Sequence, residues 1–329
     1  MADVALRAGV SVSTVSHVLN GTRRVSPATV RAVEDAVRAV GYTPNVLARA
    51  LARSTTNTIG LALSAVSNHY FSEIVRAIEA ECTRHGLMVL LTDTHDDPAY
   101  ELAVVQALHQ RRVDGIVLAP AADPERRVLS YLAEHRLPTV LIDRLVSDGF
   151  DQIGVENKRA MTALVGHLLG HGHRRIALVS GLPGLATTIE RVEGYRAALR
   201  AAGLPFDPAL VRNGASAVAP ARAACRELLE LAEPPGAIVA ANNLMTIGVM
   251  RGLRDAGLRV PDDIALAGFD DFDWADSFSP RLTVMAQPCE QIGRRAAQLL
   301  IRRLAEPESA HRTLRLRPTL CVRNSCGCG

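Results

Sequence analysis

From residue 57 onward the chain repeats one pattern: a short unbroken apolar run, a turn, then a stretch of helical periodicity. The runs are "TIGLALS", "MVLLTD", "GIVLAP", "TVLID", "RIALVSG", "AIVAAN" and "IALAGFD". A strand with one face in water alternates apolar with polar residues, whereas a strand covered on both faces reads as a continuous apolar run. These runs therefore predict parallel strands, joined by helices such as residues 70–85 and 158–169. Seven such units exceed one doubly wound half, so two α/β subdomains are expected. Ligands of sheets built this way bind beyond the carboxyl ends of the strands.

The first sixth of the chain is built differently. In residues 11–20, Val12, Val15, Val18 and Leu19 fall on one helical face, while Ser13, Ser16, His17 and Asn20 fall on the other. Ser11 suits an N-cap and Gly21 a stop. Valine is a poor helix former, so this helix depends on burying its apolar side against neighbours. Upstream, "ADVALRAG" offers Val4, Ala5 and Ala8 to the same core, with Gly9 in the turn. Downstream, "SPATVRAVEDAVRAVGY" has Ser26 as cap, Pro27 at the first position, a Val30, Val33 and Val37 stripe, and Gly41 at its end. Three short helices with a glycine turn make a helix-turn-helix. A helix about 10–12 Å across fits a major groove about 12 Å wide.

Charge points the same way. Residues 1–55 hold seven arginines against three acids, a balance of +4, so the rest of the chain carries −1 of the net +3. Each cationic contact to a phosphate releases condensed counterions, so such a head favours a polyanion. The alternative is a protein-docking module with a polar outer face; the charge balance favours DNA.

Other classes lose ground. The longest apolar runs, such as "IGLALSAV", fall short of a membrane span, and no basic-then-apolar leader opens the chain, so a cytoplasmic location is expected. Six cysteines, at 82, 225, 289, 321, 326 and 328, form no disulfide framework. The C-x-C of Cys326 and Cys328 has only His311 and Cys321 near it in sequence, too few for a zinc site, so the tail reads as frayed. "HLLGHGH" places His167, His171 and His173 close together, but Gly170 and Gly172 read as a helix end that turns the later histidines away. "GFDDFD" clusters acids without a phosphate-cradling loop; "SGLPG" lacks both the Walker lysine and the G-x-G-x-x-G spacing. No G-x-S-x-G elbow or C-x-x-C pair is present. No catalytic residue, metal or cofactor is therefore expected, and an α/β enzyme with a helical appendage is the rival class.

"DVALRAGVSVSTVSHVLNGTRRVS" followed by "GYTPNVLARALA" resembles the N-terminal region of the lactose-repressor (LacI/GalR) family of bacterial transcription regulators, and the resemblance extends over essentially the whole chain. It implies a helix-turn-helix three-helix head at residues 1–44, a hinge helix and linker at 45–56, and an effector-binding and dimerisation body at 57–329. That body is periplasmic-binding-protein-like, with two doubly wound α/β subdomains and a chain that crosses between them several times. By the same likeness Val12, Ser13 and His17 face base edges, Thr14, Ser16 and Asn20 hold phosphates, and Arg23 reaches a further base. Many members carry Arg where His17 stands, and the purine repressor carries His. Histidine can donate to guanine without the arginine fork, so the preferred base stays open. Members usually have a few residues, often with a Thr cap, before the point where this chain begins. Met1 falls inside the first helix here, so either the start codon is misassigned or the helix begins uncapped, at about 0.5–2 kcal/mol.

The family's ligand-pocket positions fall at strand ends: Tyr70 and Phe71 in "NHYF", Asp143, Arg191, Asn242 and Asp270. Arg191 as a fork donor and Asp270 as a double acceptor suit the hydroxyls of a polyol, with Phe71 stacking on its ring face. Asn243 stands where members often carry Asp. A purine corepressor competes because of His17 and "YF", but the arginine that the purine repressor places on its base corresponds to Leu185. The resemblance thus implies an effector-controlled repressor sensing a sugar or sugar derivative. A homodimer would set two heads on a near-palindromic double-stranded operator, associated with the nucleoid when bound. The chain ends soon after "TLCVR" without a heptad tail, so a leucine-zipper tetramer is not expected.

Between head and body lies "PNVLARALARSTTN", where Asn45 can cap a helix of residues 46–52. Two turns are too few to be stable alone in water. The resemblance implies that Leu51 wedges between base pairs from the minor groove beside its twin, with Ala48 in the groove and Arg49 beside the phosphates. Such a helix forms only when two subunits hold their hinges together on DNA, which makes it a switch. Leu51→Ala is expected to weaken specific DNA binding far more than binding to random duplex, measured by fluorescence anisotropy. An equal loss on both duplexes would remove the wedge.

Overall fold

The computed structural model describes residues 1–21, 23–42, 55–64, 68–277 and 279–328. It divides into two units, Met1–Asn57 and Thr58–Gly329. The hinge positions Ala48, Arg49 and Leu51 lie outside the described residues.

The first unit contains α1 (Ala2–Ala8), α2 (Val12–Asn20) and α3 (Pro27–Val40). Ser11 Oγ accepts from the Thr14 backbone N–H at 3.1 Å, and Ser26 Oγ from that of Thr29 at 3.3 Å. Gly21 closes α2 and Gly41 closes α3 in the left-handed conformation, at φ 62° and 63°, where a Cβ would be penalised. Val4, Ala5, Val15, Val33 and Ala36 form the core, with Val18, Leu19, Val37 and Tyr42 packed around it. Val12 departs from the expected core face. It is the first residue of α2, and its side chain leaves the three-helix interface 48% exposed. Met1 stands at the N-cap position of α1, not inside the helix, and makes no side-chain cap bond.

The second unit opens with five strands alternating with helices. They are β1 (Thr58–Leu63), α4 (His69–Arg84), β2 (Met88–Asp93), α5 (Pro98–Gln110), β3 (Gly115–Leu118), α6 (Arg127–Glu134), β4 (Thr139–Ile142) and β5 (Asp151–Val155). After α7 (Asn157–Gly170) the pattern repeats. It runs through β6 (Ile176–Ser180), α8 (Ala186–Ala201), β7 (Val211–Asn213), α9 (Val218–Leu229), β8 (Ala237–Ala240), α10 (Asn243–Asp255), β9 (Ala265–Phe269) and β10 (Thr283–Ala286). Then α11 (Cys289–Ala305), β11 (Thr313–Leu316) and β12 (Thr319–Cys321) close the chain. One sheet is ordered β11-β5-β4-β3-β1-β2 and the other β12-β10-β9-β8-β6-β7. The two orders are the same topology twice, and the chain passes between them three times. All pairings are parallel except β10 with β12, where Val284 faces Cys321. Among the described residues no helix is long and apolar enough to cross a membrane.

All seven apolar runs are strands, but β5, β7, β10 and β11 were not apparent from the pattern. The reason is clearest in β5, "DQIGV", which is buried throughout despite opening on Asp and Gln. Asp151 is 0% exposed and accepts from Arg302 Nη2 at 2.9 Å, Arg303 Nε at 2.9 Å and the Arg312 backbone N–H at 2.8 Å. A paired carboxylate can occupy the interior, and it breaks the apolar signature that betrays a central strand.

Two further expectations are corrected. The tail is packed, not frayed: Ser325 Oγ donates to the Leu266 carbonyl at 2.7 Å and accepts from the Thr283 N–H at 2.8 Å, and Cys326 is buried. His171 does not turn away from His167. It caps α7, its N–H still reaches the His167 carbonyl at 3.2 Å, and the two rings lie 4.6 Å apart. Four residues is about one helical turn, so both rings stay on one face.

Asp151→Ala leaves the buried Arg303 guanidinium without its carboxylate. It is expected to cost about 3–5 kcal/mol in urea unfolding. A loss below about 1 kcal/mol, the value of an exposed pair, would contradict this account.

Candidate functional site

The strands of both sheets end toward one crevice, and an aspartate stands at the same topological position on each side. Asp143 follows β4, whose counterpart in the repeat is β9, followed by Asp270. Both take the left-handed conformation, at φ 64° and 75°, a region that residues other than glycine seldom occupy and Asp tolerates better than most. Each is held by a neighbouring strand: the Asp143 N–H donates to the Ile153 carbonyl at 2.9 Å and the Asp270 N–H to that of Met285 at 3.0 Å.

A cavity of about 70 Å³ lies between them, and its lining includes Tyr70, Phe71, Asp143, Arg191, Asn242 and Asp270. Tyr70 donates its hydroxyl to Asp143 Oδ1 at 2.8 Å. Burial, then the Asp143 charge, holds the Tyr70 phenol well above its ordinary pKa, so it remains a donor. The Phe71 ring meets that of Tyr70 edge to face, with centroids 5.0 Å apart. Arg191 donates Nε to Asn157 Oδ1 at 2.9 Å and Nη1 to the Ala241 carbonyl at 2.6 Å, and its guanidinium lies 3.8 Å from the Phe269 ring centre. Asp270 accepts from Gln287 Nε2 at 2.6 Å and from the Asn243 N–H at 3.2 Å, one donor on each oxygen. A carboxylate has about four acceptor sites, so capacity remains for a ligand. Burial raises the Asp270 carboxyl above the usual range against the pull of Arg191 and Gln287. Asn242 serves the fold as well as the cavity, because its Oδ1 caps α10 through the Met245 N–H at 2.7 Å.

Several lining residues escaped the sequence reading, Arg144 foremost. It donates to the Pro120 carbonyl at 2.9 Å and Ser64 Oγ at 3.0 Å, pairs with Asp96, and sets Nε 3.6 Å from Asp143 Oδ2. Burial opposes its charge, yet Asp96 and Asp143 together outweigh that and hold it above the usual arginine range. In a regular strand Arg144 would point away from Asp143. The left-handed turn, closed by the Arg144 N–H on the Ile142 carbonyl at 2.6 Å, breaks that alternation and brings both side chains to the cavity. Asn243 donates to Asn68 Oδ1 at 2.6 Å, from the start of α10 to the cap of α4. That buried bond joins the two subdomains.

On α2, Val12 and Ser13 are exposed, and Thr14, Ser16 and His17 are half-buried. The Ser13 and Thr14 hydroxyls lie 2.7 and 2.8 Å from Ser11 Oγ, so the cap and the polar face share one cluster. Asn20 is the last residue of α2, and Arg23 is exposed beyond it.

A three-helix head of this kind, carried on a body whose two sheets enclose a polar cleft, defines a ligand-responsive DNA-binding regulator. Residues 1–45 match the bacterial regulatory proteins of the lacI family, and residues 165–326 match the periplasmic binding protein-like domain. The ribose operon repressor of Escherichia coli (strain K12) is 36% identical over 328 residues, covering 99% of both chains. The HTH-type transcriptional repressor PurR of Vibrio atlanticus (strain LGP32) is 33% identical over 325 residues, 98% of this chain and 97% of the relative. The solved lac repressor dimer bound to operator and the anti-inducer ONPF matches with a TM-score of 0.87 and 28% identity, over 98% of each chain. The chain belongs to the lacI family of bacterial regulatory proteins. It is a DNA-binding transcription regulator and not an enzyme.

Glu101 of α5 is buried and accepts the Ala121 N–H at 2.7 Å. Burial dominates and pushes its carboxyl up to about 7. A carboxyl raised in the folded state contributes stability that is present below its ordinary pKa and lost as pH rises through the folded value. The protein should therefore lose stability between about pH 5 and pH 8, by an amount on the order of 3 kcal/mol, relative to Glu101→Gln. Parallel unfolding curves for the two proteins across that range would contradict this assignment.

Proposed function

We propose that the protein is a homodimeric repressor whose grip on its operator is set by a sugar or sugar derivative held in the crevice between the two sheets. The observation that carries this reading is the pair of strand-end aspartates. They present carboxylates of both subdomains to one small polar cavity, with Tyr70 and Gln287 already orienting them and Arg144 and Arg191 beside them. A polyol has hydroxyls that donate to both acids and accept from both arginines. A ligand that touches both subdomains binds the closed arrangement better than the open one, and that differential affinity shifts the equilibrium. The Asn243–Asn68 bond adds a direct latch to the closed form.

The likeness to the ribose operon repressor supports a sugar, while the likeness to PurR keeps a purine in view. Leu185, which is buried and lines the cavity, offers only methyl groups where a purine base would need a donor.

The head would occupy residues 1–44, the hinge 45–56 and the sensor 57–329. Val12, Ser13, His17 and Arg23 would read bases, and Thr14, Ser16 and Asn20 would bind phosphates. The Leu51 pair, flanked by Ala48 and Arg49, would open the centre of a near-palindromic operator, and the likeness to an operator-bound repressor dimer supports this arrangement. The site of action would be the cytoplasm, at the nucleoid when operator-bound.

Genomic fragments selected on the purified protein would supply the operator, and pentoses, hexoses and purine bases would then be tested on the complex. One sugar is expected to change operator affinity by roughly 5–150-fold. Asp270→Ala should abolish that response and leave operator binding without sugar within about twofold of the parent. A purine acting where no sugar does would overturn the effector class, and a preserved response in Asp270→Ala would displace the pocket.

A further inference from the structure

Two sequence features that each fell short of a metal site meet in the fold. His167 lies in the last turn of α7 and His171 caps it, and the C-x-C of Cys326 and Cys328, some 160 residues later, is laid against His167. His167 Nε2 lies 3.2 Å from Cys328 Sγ and 3.4 Å from Cys326 Sγ. Ligand atoms of His167, His171 and Cys328 all fall within 4.8 Å of one another. We infer that His167, His171, Cys326 and Cys328 bind one thiophilic divalent cation, zinc first among them, and that this ion ties the end of the chain to α7.

The geometry suits the ion. A tetrahedral zinc with bonds of about 2.0–2.1 Å to nitrogen and 2.3 Å to sulfur holds those ligands about 3.5 Å apart. Both His167–sulfur distances are already close to that, while Cys326 stands outside the 4.8 Å group and must close on His171 as the ion binds. The two sulfurs, 2.6 Å apart, must open by about 1 Å, which the partly exposed Cys328 can supply. Two imidazoles and two thiolates form a set that selects zinc over the oxygen-seeking cations. Binding converts two thiols to thiolates, forms two zinc–sulfur bonds and two zinc–nitrogen bonds, and releases two protons to solvent, leaving the cluster neutral.

The surroundings supply further support. Cys326 is buried, and the Thr283 hydroxyl, which bonds the Arg323 carbonyl at 2.9 Å, lies 3.2 Å from its sulfur. His173 Nε2 lies 3.2 Å from the Cys326 carbonyl and holds the same loop from the other side. His171 is exposed, giving the ion a route from solvent. A Cys326–Cys328 disulfide is the competing use of these sulfurs; both are free thiols in this structure.

The test uses the full chain, stripped with chelator under reductant and then titrated with Co²⁺. One cobalt per chain should produce tetrahedral visible bands and a thiolate-to-cobalt charge-transfer band, and both should vanish on adding Zn²⁺. Cys328→Ser and His171→Ala, at positions that are not fully buried, should each weaken binding by at least the roughly 10–100-fold that loss of an outer partner costs. Operator binding by both variants serves as the control for folding. Absence of the thiolate band in the parent chain would overturn the inference. So would unchanged cobalt affinity in both variants, or a Cys326–Cys328 disulfide in freshly purified protein.

Discussion

Everything in the body turns on two carboxylates held where carboxylates are costly. Asp143 and Asp270 are both buried, both at strand ends in a backbone conformation that disfavours a Cβ, and both open onto the same small cavity. Such an arrangement persists only where the surrounding fold over-determines it. Here the adjoining strand fixes each backbone, and Tyr70, Gln287, Arg144 and Arg191 offset the charge without using up the acceptors. Each carboxylate keeps acceptor capacity beyond these donors, and in the proposed function the hydroxyls of a sugar use it.

Topology explains why the demand is shared between two bodies. The same strand order occurs twice, so equivalent turns deliver equivalent aspartates from opposite sides. Three chain crossings join the halves without merging their cores, and the large apolar clusters stay on their own sheets. A ligand or an Asn68–Asn243 bond spanning the crevice therefore acts on the relation between the halves and leaves each interior undisturbed. In the proposed mechanism that relation is what a dimer passes to a hinge helix too short to stand alone.

Much of this was legible in the residues, for reasons that also mark where legibility stopped. Strands with both faces covered announce themselves by apolar continuity, and the helix ends of the head by Ser11, Ser26, Gly21 and Gly41. Tyr70, Phe71, Asp143, Arg191, Asn242 and Asp270 all line one cavity, because strand-end position and family likeness agree there. Strand β5 was hidden because its interior is an ion pair. Arg144 was hidden because a single left-handed residue cancels strand alternation. Periodicity assigns Val12 to the core face because it ignores where a helix begins. The histidine and cysteine pairs are each too few for a metal site alone, and sequence spacing carries no information about a contact spanning some 160 residues.

The claim at the centre is that one sugar engages both strand-end aspartates at once. A crystal structure of the full chain with its effector tests it most directly. Hydroxyl oxygens within about 2.5–3.0 Å of both the Asp143 and the Asp270 carboxylates are the predicted result. A ligand bonded to the strand ends of one sheet alone, with the other aspartate facing water, would contradict it.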